Sequence, residues 1–198
     1  MNYIFSNFSI HNNGIVSKNF LNLGVKSFHS AIDWVKSMPY GRNNDRTNYL
    51  SIFSEYRGTC STKHALLNAL ALENNQNIIL KMVICKIDKY SNKSIKSLLE
   101  YLKIEYFPEA HCILSNDKDY LDITFPGHLK KPKAEIVKSY KLKPLDIGKK
   151  KIELHRNYLI SWMNEKGLNK KHSLEEIWNL REKWIISLSN KSNHIFLR

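Results

Sequence analysis

The sequence predicts a mixed fold of helices and antiparallel strands. Apolar residues at helical spacing indicate helices, and runs of β-branched residues indicate strands. The predicted helices cover residues 27–38, 59–74, 94–101, 152–165 and 174–189. The predicted strands cover residues 78–87, 108–115 and 120–125. Ser27 is the expected N-cap of the first helix, and Ser173 and Glu176 form a capping-box pattern at the start of the last one.

Length and composition predict a single globular domain. The chain has 198 residues, of which 42% are hydrophobic, and this is enough for one packed core. We expect the core to cover about residues 25–127, followed by a lysine-rich connector at 127–151 and a helical C-terminal extension at 152–190. The three cysteines include no CxxC pair, so we expect free thiols.

The net charge of +13 is concentrated in the predicted connector, which contains nine lysines. Because these lysines are not interleaved with arginine and aromatic residues, and no nucleic-acid motif is present, we do not expect specific nucleic-acid binding. The N-terminal residues lack the pattern of a signal peptide, and no apolar run approaches the roughly 20 residues of a membrane span. We therefore expect a cytoplasmic protein with no membrane partner. The sequence leaves the oligomeric state open.

Cys60 is the candidate nucleophile. It follows Gly58 and Thr59 at the predicted start of a long apolar helix. The unpaired amides and positive dipole end of a first helical turn favour a thiolate, which is the nucleophilic form of cysteine. The Cys60 amide is also placed to donate to an oxyanion. Cys85, inside the predicted strand 78–87, is expected to be an inert core residue.

His111 and Asp122 are the candidate base and the carboxylate that orients it. A hairpin closed around Asn116 and Asp117 places His111 directly opposite Asp122, with Cβ atoms about 5 Å apart. The other face of this hairpin is then apolar, which supports the register. That face carries Cys112, Leu114, Leu121, Ile123 and Phe125.

Other histidines are weaker candidates for the base. His64 shares a helix face with Cys60 at i+4, but no carboxylate is placed to orient it. We therefore expect His64 to pack behind or support the catalytic residues. His155 and His172 are expected to be surface or cap residues.

The segments around the three candidate residues resemble the transglutaminase-like superfamily, a group of papain-like Cys-His-Asp proteins. The resemblance is carried by RGTCSTKH at 57–64, PEAHCIL at 108–114 and YLDIT at 120–124, and it covers about residues 40–127. The order Cys, His, Asp and the gaps of 51 and 11 residues suit a compact member. The chain departs from the family pattern at Ser61, Thr62, Ile113 and Ile123. The family often has an aromatic residue after the Cys, a Trp after the His and a Pro after the Asp.

This resemblance implies an α+β fold in which the nucleophile helix packs on an antiparallel sheet. It also implies acyl transfer, in which Cys60 attacks a carbonyl, His111 moves the proton and Asp122 fixes the imidazole tautomer. The substrate would be a peptide, an amide or another acyl compound, with no cofactor and no metal. Asn48 or Asn44 is a conjectural oxyanion donor, and Thr124 matches the Thr that follows the family's Asp.

Two alternatives stay open. One is a non-catalytic binding module that keeps the fold and offers a basic surface to an anionic partner. The other is a metal site formed by Cys60, His64, His111 and Cys112. Against the metal site, we expect Cys112 to face away from His111 on its strand, and structural zinc sites usually contain more closely spaced cysteines.

Overall fold

The computed structural model describes residues 3–126 and 134–190, apart from the side chains of the last two. The fold is α+β, with helices packed around one antiparallel sheet. The strands are β1 (Ile79–Ile87), β2 (Phe107–Ser115), β3 (Tyr120–Leu121) and β4 (Glu135–Leu142). The helices are α1 (Ile15–Asn22), α2 (Phe28–Ser37), α3 (Ile52–Glu55), α4 (Cys60–Glu73), α5 (Lys96–Leu102), α6 (Lys149–Glu165) and α7 (Leu174–Asn190).

Side-chain caps determine where several helices begin. Ser27 accepts a hydrogen bond from the Ser30 amide at the start of α2. At the start of α7, Glu176 donates its amide to Ser173 Oγ (3.2 Å) and accepts from the Ser173 amide (2.7 Å). This is the capping box that the sequence predicts. All five predicted helices are confirmed, whereas α1 and α3 were not predicted.

The sheet has the strand order β3-β2-β1-β4, and helices cover both of its faces. One core cluster joins α1, α2 and α4 to the face that carries Leu80 and Met82 of β1. A second cluster joins α5, α6 and α7 to the face that carries Val83 and Cys85. Because both faces are covered, β2 is buried along its whole length. The helix that begins at Cys60 therefore packs on an antiparallel sheet. None of the described helices is long and apolar enough to cross a membrane.

The hairpin between β2 and β3 differs from the sequence prediction in register. Leu114 pairs with Leu121 and Ser115 with Tyr120, a shift of two residues from the predicted pairing. The loop contains four residues, 116–119, because the Asn116 side chain accepts hydrogen bonds from two loop amides, at 3.1 and 2.7 Å. Such Asx turns favour a wider loop than the two-residue turn that we expected.

The register shift changes how His111 and Asp122 meet. A shift of two residues keeps each side chain on its face of the hairpin, so the two residues remain neighbours but are no longer directly opposite. The predicted strand 120–125 ends at Leu121, and Asp122 follows it in irregular backbone. Phe125, expected on the face of Leu121, packs instead in the cluster of α5–α7, since strand alternation stops at this point.

Part of the predicted lysine-rich connector is a strand at the edge of the sheet. β4 pairs antiparallel with β1, with a bulge between Ile84 and Cys85. Its residues Lys138 and Lys141 are exposed, while Leu142 is buried. Lysines on an edge strand discourage pairing with another chain, so the charge pattern fits a strand as well as a loop. Residues 127–133 of the predicted connector lie outside the described residues, and residues 149–151 belong to α6.

Candidate active site

Cys60 is the first residue of α4 and is half-buried. Gly58 fixes its approach to the helix, because the Gly58 amide donates to the Pro39 carbonyl (3.3 Å) and its carbonyl accepts from the Gly41 amide (3.2 Å). A Cβ on Gly58 would lie 2.9 Å from Thr62 Oγ1, so a larger residue does not fit at this close approach. The thiol therefore lies at the positive end of the helix dipole, which favours the thiolate.

His111, on β2, connects Cys60 to Asp122. Its Nε2 is hydrogen-bonded to Asp122 Oδ2 at 2.8 Å, and its ring interacts electrostatically with the Cys60 thiol. Thr124 donates both its amide (2.9 Å) and its hydroxyl to Asp122 Oδ1, which holds the carboxylate in place. The three residues predicted from the sequence thus lie together, with His111 acting on both Cys60 and Asp122, and Thr124 supports the carboxylate.

The charges of Cys60, His111 and Asp122 favour a thiolate–imidazolium pair. The pKa of Cys60 is held well below its ordinary value, first by a hydrogen bond from Cys112 and then, against the effect of burial, by the positive charges of His111 and Lys151. Burial lowers the pKa of His111, but the charges of Asp122 and Cys60 outweigh it and hold that pKa well above its ordinary value. Burial also opposes ionisation of Asp122, yet His111 lowers its pKa to about 2. Both shifts favour the charged pair over a neutral thiol and a neutral imidazole.

Cys112, which the sequence placed on the apolar face of the hairpin, also lies beside the nucleophile. Its buried thiol donates to Ser61 Oγ at 3.7 Å, and the contact with Cys60 together with burial raises the pKa of Cys112 well above its ordinary value. Neighbouring residues of a strand point to opposite faces, so Cys112 and His111 contact Cys60 from different sides of β2. This is possible because β3 ends at Leu121 and leaves the adjoining edge of β2 open beside α4. The signal in the sequence was the alternation that places Cys112 on the core face of its strand. The position of α4 is also needed to show that this face lies beside Cys60.

His64 connects the start of α4 to the segment that carries Asp122. Its Nδ1 donates to the Cys60 carbonyl (2.7 Å), and its Nε2 accepts from the Ile123 amide (3.0 Å). These two bonds define a neutral tautomer, and burial lowers the pKa of His64 accordingly. His64 is therefore a supporting residue, as the sequence suggested, and not the base.

Lys63 makes a second connection of the same kind. Its side chain is fully buried, and its ammonium donates to the carbonyls of Met38 (2.7 Å) and Thr124 (3.0 Å). Burial lowers its pKa to about 8. Burial of a lysine that has no hydrogen-bonded carboxylate costs free energy. The two carbonyls offset part of this cost because they accept hydrogen bonds from the ammonium. Nothing in the sequence pattern distinguished it from the surface lysines.

A cavity of about 210 Å³ opens beside Cys60, between the start of α4 and the helices α6 and α7. The C-terminal helices therefore form one wall of the candidate site. His155 of α6, expected at the surface, is buried there and its Nε2 bonds the Pro108 carbonyl at 2.9 Å. Burial lowers the pKa of His155 to about 4, so this wall residue is neutral. The charged residues that line the cavity are Arg42, Arg46, Glu109, Lys151, Arg181 and Glu182.

The structure does not bring Asn48 to the cavity. Asn48 is exposed and accepts a hydrogen bond from the Leu50 amide (2.9 Å), which caps a short turn. Asn44 is also exposed, and neither residue lines the cavity. The amide residue at the site is Asn43, which is buried and accepts from Thr62 Oγ1 at 2.9 Å. Asn has a strong tendency to cap turns, which accounts for the position of Asn48 outside the cavity.

Tyr40 is a further polar group at the cavity. Its hydroxyl forms no hydrogen bond within the part of the chain that the structure describes, and its ring packs on Phe125 at 4.9 Å. Burial and the neighbouring Cys60 raise the pKa of Tyr40 above its ordinary value, so the hydroxyl is a neutral donor. Tyr40 and Cys60 thus line the same cavity, and both carry hydrogen-bond donors.

The metal site considered from the sequence is not assembled. In residues 3–126 and 134–190, no group of three or more His, Cys, Asp and Glu side chains is arranged to hold a metal ion. Both ring nitrogens of His64 are engaged by the backbone. His64 therefore has no nitrogen to offer to a metal in this arrangement.

Comparisons of the chain with protein-family models, with curated proteins and with solved structures find no match. The likeness to transglutaminase-like proteins therefore rests on the residues and their spacing.

Proposed function

We propose that this chain is a thiol-dependent enzyme that transfers acyl groups or hydrolyses amides through a thioester on Cys60. The observation that carries the proposal is the buried His111–Asp122 hydrogen bond next to the helix-start Cys60, beside an open cavity. We also propose that the fold contains the transglutaminase-like core that the sequence resembles. An incidental surface His–Asp pair would not be expected to be buried and joined to a helix-start cysteine.

In the first step the Cys60 thiolate attacks the carbonyl carbon of the acyl substrate and forms a C–S bond. Negative charge moves to the carbonyl oxygen, which the Cys60 amide and the Tyr40 hydroxyl are placed to stabilise. The tetrahedral intermediate collapses to the thioester as the C–N bond breaks. His111 gives its proton to the departing amine, and Asp122 holds the ring in position.

In the second step the neutral His111 takes a proton from water or from an amine. The activated nucleophile attacks the thioester carbonyl, the C–S bond breaks, and the Cys60 thiolate and the His111 imidazolium are restored. Water as acceptor gives hydrolysis, and an amine gives acyl transfer. Peptides and amides are thus the substrate class, and the chemistry needs no cofactor.

The competing function is a binding module that keeps the fold and holds an anionic partner. The net charge of +13 and the exposed lysines of β4 favour it. A binding module has no need for a thiolate–imidazolium pair. Reactivity at Cys60 therefore separates the two functions.

Competitive alkylation of the three cysteines tests the proposal. We expect iodoacetamide at neutral pH to modify Cys60 much faster than Cys85 and Cys112, as mapped by mass spectrometry of peptides. Cys85 provides an internal reference, since burial raises the pKa of its thiol to about 11. His111→Ala is expected to slow alkylation of Cys60 because the thiolate loses its cationic partner. Equal and slow modification of all three thiols would contradict the proposal and favour the binding module.

A further inference from the structure

Cationic side chains outnumber acidic ones around the cavity beside Cys60. Four cationic residues and two acidic residues line it, and the wall residue His155 is neutral. The Cys60 thiolate is balanced by the His111 imidazolium, so the rest of the lining has an excess of two positive charges. The charged members are Arg42, Arg46, Lys151, Arg181, Glu109 and Glu182.

The two carboxylates do not neutralise all the cations. Glu109 is occupied by the buried Arg181, which donates to both of its oxygens. Glu182 is shared, since it pairs with Arg42 (2.9 Å), Arg46 (3.4 Å) and Arg181. One carboxylate that serves three guanidinium groups leaves donors for a further anion.

Lys151 is not paired with a carboxylate in the described residues, although its charge lowers the pKa of Glu109. It forms no ion pair or hydrogen bond within residues 3–126 and 134–190, although its neighbour Lys150 pairs with Asp146 at 3.0 Å. Lys151 also lies in the first turn of α6, where a positive charge opposes the helix dipole. Helix stability therefore does not account for this lysine. Lys151 and Cys60 line the same cavity, and the charge of Lys151 lowers the pKa of the thiol.

The size of the cavity limits what it can receive. A volume of about 210 Å³ is smaller than the roughly 300–1,000 Å³ of pockets that enclose a drug-sized ligand. It is suited to one side chain or one chain terminus of a substrate. A small anionic group matches both its volume and its charge.

We propose that the acyl substrate of this enzyme carries a carboxylate close to its scissile carbonyl, and that Lys151 binds this carboxylate together with Arg42. This inference rests on the proposed function and specifies its substrate class as acidic peptides or amides. Lys151 is a binding residue in this account. The carboxylate comes either from an acidic side chain in the acyl group or from a free terminus in the leaving group.

Paired alkylating reagents test the charge preference without requiring turnover. Iodoacetate is anionic and iodoacetamide is neutral, and both react with the same thiolate. The ratio of the iodoacetate rate to the iodoacetamide rate at Cys60 is independent of the fraction of thiolate. A change in the pKa of Cys60 therefore cancels in this ratio. We expect this ratio to exceed the ratio for N-acetylcysteine amide under the same conditions. Lys151→Gln should lower the ratio of the iodoacetate rate to the iodoacetamide rate by about three- to tenfold. Addition of about 0.5 M salt should lower the same ratio on the order of severalfold.

Lys150→Gln is the matched control. It removes the same charge one residue away, but its side chain is exposed and faces Asp146. We expect the rate ratio to change by less than about twofold in this variant, because solvent screens an exposed charge. His111 is present in every protein compared, so its own attraction for iodoacetate does not affect the comparison.

Peptide thioesters identify the source of the carboxylate. One pair carries Glu or Gln in the acyl group, and a second pair has a free or an amidated carboxyl terminus in the leaving group. A preference for the acidic member of either pair, weakened by Lys151→Gln but not by Lys150→Gln, supports the inference. Fast alkylation of Cys60 with an ordinary reagent ratio, unchanged in Lys151→Gln, would overturn the inference and leave the proposed function standing. A Cys60 no more reactive than Cys85 would overturn both.

Discussion

Replacing Asp122 by Asn removes the charge that stabilises the imidazolium of His111 and keeps a side chain of nearly the same shape. In the wild-type protein Asp122 accepts from His111 Nε2 at 2.8 Å and is fixed by two hydrogen bonds from Thr124. The amide of Asn is neutral. The thiolate of Cys60 is stabilised by the imidazolium, so its stability is expected to fall as well.

The size of the effect follows from the geometry. A buried hydrogen bond to a charged group contributes about 1.5–3 kcal/mol, and one pKa unit corresponds to about 1.36 kcal/mol. The midpoint of the pH profile for Cys60 alkylation should therefore move up by about one to two units in Asp122→Asn. Below both midpoints the variant should react about 10- to 100-fold more slowly than the wild type. Above them the two rates should converge, because the thiol is ionised in both proteins.

The assay is the rate of iodoacetamide modification at Cys60 between pH 4 and pH 10, mapped by mass spectrometry. Asp117→Asn is the control, since this carboxylate lies on the same hairpin but pairs with Lys81 in an exposed position. Its profile should match that of the wild type. A wild-type midpoint near the ordinary thiol value, or a profile that Asp122→Asn does not shift, would refute the reasoning.

Three other substitutions test neighbouring contacts. Glu109→Gln leaves the guanidinium of Arg181 buried without its carboxylate, so the free energy of unfolding should fall by about 3–5 kcal/mol in urea titrations. The exposed Glu135→Gln should cost less than about 1 kcal/mol, and equal losses would contradict the assignment. Lys63→Met should remove a pH dependence. The pKa of Lys63 is lowered from 10.5 to about 8 in the folded state, so the unfolded state binds more protons between these values and wild-type stability rises with pH there, by about 3 kcal/mol in total. A variant that keeps the full rise would refute this. Tyr40→Phe should lower kcat for acyl substrates by about 10- to 1,000-fold if the hydroxyl stabilises the oxyanion. It should leave iodoacetamide alkylation of the nucleophile almost unchanged, because alkylation forms no oxyanion, and unchanged kcat would exclude Tyr40 from this role.

The nucleophile helix was predictable because its signals are local. Gly58 and Thr59 precede a long apolar run, and local sequence determines both the helix start and the position of Cys60 within it. His111 and Asp122 were predictable as neighbours, because strand alternation survives a shift of two residues. Their diagonal placement was not predictable, since the Asx turn at Asn116 competes with a tighter turn and wins.

The surroundings of the site depend on contacts far apart in sequence. Lys151 and Cys60 are 91 positions apart, and only the packing of α6 against the sheet brings them to one cavity. The same holds for Cys112, whose role depends on the open edge of β2. The sequence predicts a connector where the structure has edge strand β4, because exposed lysines are equally typical of loops and of strands at a sheet edge.

Acyl-enzyme formation is the most direct test of the central claim. The protein is mixed with p-nitrophenyl acetate, the release of p-nitrophenol is followed by absorbance, and the acetylated residues are mapped by mass spectrometry. The account predicts a burst of about one equivalent of p-nitrophenol, followed by slower turnover, with the acetyl group on Cys60 and not on Cys85 or Cys112. Cys60→Ser should lose the burst. Acetylation spread equally over the cysteines, or a burst that persists in Cys60→Ser, would contradict a thioester mechanism at this residue.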